Sequence, residues 1–65
     1  MLNNLKRGQT LVTFSIPDLS MWGTDIMQVQ NGVEVMIATV LGDTREQSQE
    51  RANLFIRAAR LVAVD

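Results

Sequence analysis

The chain has 65 residues, 46% of them apolar and 20% charged; that allows one globular domain whose core stays small, since so short a chain buries only about 60% of its unfolded surface. It contains neither Cys nor His, which excludes a disulfide staple, a thiolate or imidazole metal site and the usual general base. Six Lys and Arg stand against seven Asp and Glu, so net charge selects no partner class, and association with another chain becomes the expected staple.

Residues 1–7, with Lys6 and Arg7, are expected to be flexible. Residues 9–16 alternate, with Val12, Phe14 and Ile16 on one side and Leu11, Thr13 and Ser15 on the other, the pattern of a half-buried strand. Pro17 ends it, because it lacks a donor and fixes its own φ. Residues 17–23 read as a connection holding one short helical turn, with Pro17 at its start and Gly23 at its stop.

A hairpin is expected around Asn31 and Gly32, between strands at about 24–30 and 33–41. A two-residue turn would pair Gln30 with Val33, Gln28 with Val35 and Val29 with Glu34. A three-residue loop of Gln30, Asn31 and Gly32 would pair Val29 with Val33 and Met27 with Val35, matching apolar with apolar, and is the favoured register. It puts Met27 and Met36 on opposite faces of the sheet. Residues 33–41 are then apolar on both faces, as in a strand that is central or covered twice.

Residues 43–47 carry helix-start chemistry, with Thr44 and Gln47 or Asp43 and Glu46 as the capping pair. The helix is expected to run from about 44 to 62. At 100° per residue its apolar side chains, from Ala52 to Ala63, span roughly 220°, about twice what one sheet face requires. The second side of the helix therefore needs another partner, and a homodimer through it or through an edge strand supplies one. The whole reads as α+β: a single domain over residues 1–65, with a three-stranded, mainly antiparallel sheet and one carboxyl-terminal helix packed on one face.

No constellation for catalysis is visible. The Ser and Thr hydroxyls have no His to activate them, and Lys6 stands in the amino-terminal stretch beside Arg7. Glu46 and Glu50 lie one turn apart on a face that reads as solvated, no Asp-rich loop brings acids together around a cation, and the four glycines are isolated. The expectation is a protein that is not an enzyme and takes no metal or cofactor.

Binding features are better represented. Met21 and Trp22, with Leu19, form an apolar cluster in the connection, where Trp22 either closes the end of a small core or enters an interface. Met36 suits an adaptable contact. Phe55 and Ile56 are interface candidates of which one faces the sheet, and Arg51 falls within the apolar arc, its stem on apolar surface and its guanidinium free to reach water or an interface acid. Asn53, Arg57 and Arg60 share a polar stripe that fits a phosphate or a partner's carboxylates.

Residues 8–44 carry Asp18, Asp25, Glu34 and Asp43 and no Lys or Arg. That argues against nucleic acid as a direct partner, which would want cations along one face. There is no secretory signal and no stretch of the ~20 apolar residues that span a membrane; the expected location is the cytoplasm.

The carboxyl-terminal half, a strand followed by Gly42, Asp43, Thr44 and then Ala52, Asn53, Phe55 or Ile56, Ala58 and Ala59, resembles a signature of short tailed-phage and prophage proteins of unassigned function, in which a strand precedes an A-N-A-x-F/L-I-x-x-A helix. Leu54 stands where a small Ala is common. The resemblance implies an accessory phage protein in the host cytoplasm, and in that setting small non-enzymatic proteins often inhibit host defence, anti-CRISPR proteins among them. The leading expectation is inhibition of a host protein or protein complex by occlusion. Two other readings stay open: an oligomeric sponge for a nucleotide signal gripped by Arg51, Arg57 or Arg60, and a structural or assembly role without a ligand.

Overall fold

The alternating stretch after Gly8 forms β1, Gln9–Ile16, with the expected bounds. The computed structural model describes residue 5 and residues 7–64, with side chains through residue 59. Much of the stretch expected to be flexible thus lies outside the described residues; of it, Leu5 packs against the core and Arg7 is exposed.

Pro17 opens a single 3-10 turn, Pro17–Leu19. The turn closes at Ser20, which adopts a left-handed conformation at φ 52° and donates its backbone N–H to the Pro17 carbonyl over 3.1 Å. Because Ser20 takes that conformation, Gly23 is not needed as a stop. The next strand, β2, therefore begins at Met21 rather than at 24 and runs Met21–Gln30. Met21 and Trp22 belong to a strand, not to a connection, so alternation sends them to opposite faces.

The hairpin register is a second correction. Asn31 and Gly32 both have positive φ, 54° and 79°, the signature of a two-residue type I′ turn whose twist matches the flanking strands. Gln30 pairs with Val33, Gln28 with Val35 and Val29 with Glu34, the register that apolar matching disfavoured. An apolar pair follows in that same register, and a bulge lies beyond it. Met27 pairs with Met36 and Ile26 with Ala38, leaving Ile37 as the extra residue. Met27 and Met36 consequently share a face.

The third strand, β3, spans Val33–Gly42, and the sheet order is β1-β2-β3, antiparallel throughout. The doubly apolar β3 is thus an edge strand, and β2 is central. The helix α1, Arg45–Val64, covers one face of the sheet. Thr44 is its N-cap: its Oγ1 accepts from the Gln47 backbone N–H at 3.0 Å, while Gln47 Oε1 reaches back to the Asp43 N–H at 2.6 Å.

Ile26, Ala52 and Ile56 are the buried core, with Leu5, Leu11, Ala38 and Val40 packed around them. Beside this apolar centre runs a chain of hydroxyls. Gln49 Nε2 donates to Thr13 Oγ1 at 3.0 Å, Thr13 and Thr24 hydroxyls meet at 3.1 Å, Thr24 and Ser48 at 2.8 Å, and Ser48 Oγ donates to the Arg45 carbonyl at 2.8 Å. Each hydroxyl has one proton. Ser48 spends its proton on a carbonyl, so Thr24 must donate to Ser48 and Thr13 to Thr24. The chain has one direction and ties α1 to β1 and β2 in a single register. Thr24→Val keeps the shape and breaks the chain in the middle. It is expected to cost about 1–3 kcal/mol, read as a lowered urea midpoint with an unchanged m-value; an unchanged midpoint would show that the chain contributes nothing to stability.

Candidate interaction surfaces

Alternation along the strands decides which side chains α1 covers. Facing the helix are Leu11, Thr13, Thr24, Ile26, Ala38, Val40 and Gly42, together with Trp22 at the end of the sheet. Val35 and Val33, opposite Gln28 and Gln30, lie on the same side toward the hairpin, where they are exposed. On the uncovered face stand Val12, Phe14 and Ile16 from β1, Met21, Asp25, Met27 and Val29 from β2, and Glu34, Met36, Thr39 and Leu41 from β3. Among the described residues no element covers this second face, although it carries eight large apolar side chains.

That face is continuous across all three strands. Val12 is 48% exposed and Met36 51%, and Val29 and Leu41 are exposed as well. Phe14 lies directly opposite Gly23, whose missing side chain leaves room for the ring; a Cβ there would stand 2.6 Å from Phe14 Cζ. At the centre, Asp25 Oδ1 accepts the Thr39 hydroxyl at 2.6 Å, and the same hydroxyl lies 3.6 Å from Met36 Sδ. Toward the hairpin, Glu34 Oε2 accepts the Thr10 hydroxyl at 3.1 Å. The Thr39 and Thr10 hydroxyls and the two carboxylates on this face thus have local partners.

A second surface lies on the helix-bearing side. Ile56 is 3% exposed and Phe55 49%, so Ile56 faces the sheet and belongs to the core, which removes it as an interface residue. Phe55 and the exposed Leu54 look outward. Arg51 Nη1 donates to the Leu41 carbonyl at 3.0 Å, satisfying an acceptor of the edge strand β3. Arg51 and Arg57, six residues apart, point about 120° from one another, so they do not converge on one ligand. Arg57 is exposed and Asn53 half-buried along the expected polar stripe, while the side chain of Arg60 lies outside the described residues.

The remaining candidates separate. Trp22 is half-buried on the helix-bearing side, opposite Ser15 and Gly42 at the far end of the sheet from the hairpin. Met21 is on the uncovered face opposite Ile16, and Met36 is near that face's middle. Sequence reasoning did not assemble Val12, Phe14, Met27 and Leu41 into one surface with Met36. Its signal was present in the Val12, Phe14, Ile16 alternation, the more apolar side of β1. Among the described residues no three acidic side chains gather into a site for a metal ion, and no helix is long and apolar enough to cross a membrane. No family model, curated protein or solved structure matches the chain.

Proposed function

We propose that this is a non-enzymatic binding protein that works by occlusion, with the uncovered sheet face as its working surface. The observation that supports this is the distribution of apolar side chains: the sheet presents Val12, Phe14, Met36 and Leu41 on the face opposite the helix, where Val12, Met36 and Leu41 are exposed. A face of that kind is stable in water only at a cost that a partner relieves. The resemblance of the carboxyl-terminal half to short phage and prophage proteins supplies the setting, a host cytoplasm in which the target is a component of host defence, blocked in the anti-CRISPR manner. The chain acts as a homodimer joined on the other side, through Leu54, Phe55 and the adjoining edge of β3.

The test is affinity capture from host lysate with the tagged protein and its Met36→Lys variant. Met36 is half exposed, so the substitution leaves the fold intact, as circular dichroism will verify. The wild type is expected to retain a defined host complex and the variant to lose it. Recovery of the protein alone from both samples would overturn the proposal.

A further inference from the structure

We propose that the uncovered sheet face binds an amphipathic helix that carries Lys or Arg among its apolar side chains, a partner chemistry that rests on the contact reading above. Charge carries the argument. From residue 8 to residue 44, which includes all three strands, the chain has no Lys or Arg. The uncovered face holds Asp25 at its centre and Glu34 toward the hairpin, and the strands that form it bring no cation to offset them.

Asp25 is already half-buried and receives the Thr39 hydroxyl. A carboxylate accepts several hydrogen bonds, so further acceptor sites remain for a partner. Covering it with purely apolar surface would strip its remaining water without replacement, which is unfavourable for a charge. A cation arriving with the apolar surface removes that penalty and gains a charge-assisted bond.

The same argument disfavours a second copy on this face. Two sheets packed face to face lie about 10 Å apart, and two copies would bring their Asp25 carboxylates into one water-poor seam. Like charges there oppose association. Shape favours a helix as the occupant: the sheet already receives α1 on its other face, and a second helix completes three layers. Met27 and Met36, paired across β2 and β3, supply unbranched side chains that adjust to an irregular apolar surface.

A fluorescent Leu/Lys amphipathic helical peptide, with a Leu/Glu peptide of the same pattern as its counterpart, tests the proposal by anisotropy titration against the full chain. The Leu/Lys peptide is expected to bind saturably and the Leu/Glu peptide not at all. Asp25→Asn, which keeps an acceptor for Thr39, is expected to weaken binding about 5–10-fold; Met36→Lys should abolish it. Glu50→Gln removes the same charge from the exposed side of α1 and is expected to change nothing. Equal losses from Asp25→Asn and Glu50→Gln would reduce the effect to net charge and overturn the proposal. A dimer dissociated by Met36→Lys would do so too, since a second copy would then occupy the face. Capture of a host complex that is lost in Met36→Lys, together with indifference to the Leu/Lys peptide, would reject the cationic helix and leave the contact reading standing.

Discussion

Gly42→Ala is expected to lower stability by about 3 kcal/mol, because the added methyl has no room and the atoms in its way are backbone. A Cβ at Gly42 would stand 2.5 Å from the Ser48 backbone nitrogen and 2.9 Å from the Gln47 carbonyl carbon. A flexible side chain would swing aside, but the first turn of α1 cannot do so without leaving the sheet. Displacing that turn also pulls Ser48 from Thr24 and Arg51 from the Leu41 carbonyl. A domain of this size holds on the order of 3–10 kcal/mol in total. The loss should therefore appear as a fall in Tm of more than about 10 °C by calorimetry. Gly32→Ala provides the contrast: nothing lies within 4 Å of its added Cβ, so only the strain of its φ of 79° remains. Its effect is expected to be about 1 kcal/mol. Equal Tm values for Gly42→Ala and the wild type would show that α1 does not rest against Gly42.

Ile56→Glu and Phe55→Glu are expected to have opposite consequences although the residues are adjacent. Ile56 is one of three buried apolar residues among those described, with Ile26 and Ala52. A carboxylate there has no partner, and the combined loss of packing and burial of charge exceeds about 4 kcal/mol, close to the whole stability of the domain. The variant should lose most of its helical circular dichroism at room temperature. Phe55 is half exposed, so Phe55→Glu should keep the wild-type spectrum and shift the mass measured by light scattering from dimer to monomer. A Phe55→Glu variant that remains dimeric would rule out the outer side of α1 as the dimer contact. A folded Ile56→Glu variant would mean that the helix sits on the sheet in another rotation.

Local features carried much of the fold in the sequence. The alternation over residues 9–16, the Asn31-Gly32 dipeptide and the Thr44 and Gln47 capping pair each act within a few residues of chain, and each stands where their chemistry places it. Apolar matching misplaces the hairpin register because Asn31 and Gly32, both with positive φ, fix a two-residue turn whatever side chains then face each other. The type I′ turn sets the pairing near Asn31, and the bulge at Ile37 resets it beyond, so a single register never applied. Likewise Gly23 reads as a turn residue from its neighbours, but it is a strand residue lying opposite Phe14, since Ser20 had already closed the turn.

The candidate surface was less legible, for a related reason. An apolar stripe in a strand says that one side is to be covered; it does not say by what. In this chain the side that carries Phe14 and three of the methionines was the natural place for the helix. The helix instead lies where Gly42, Ala38 and the hydroxyls of Thr13 and Thr24 allow close approach and a directed set of hydrogen bonds with Ser48 and Gln49. The sequence by itself determined the elements, their order, the α+β class and the absence of cations from the strands, because each depends on residue type and short-range spacing. Only the tertiary structure decided the choice between Phe55 and Ile56, the edge position of β3 and the sheet face left open. Those depend on distances between residues far apart in the chain, where packing and hydrogen bonding outweigh hydrophobicity alone.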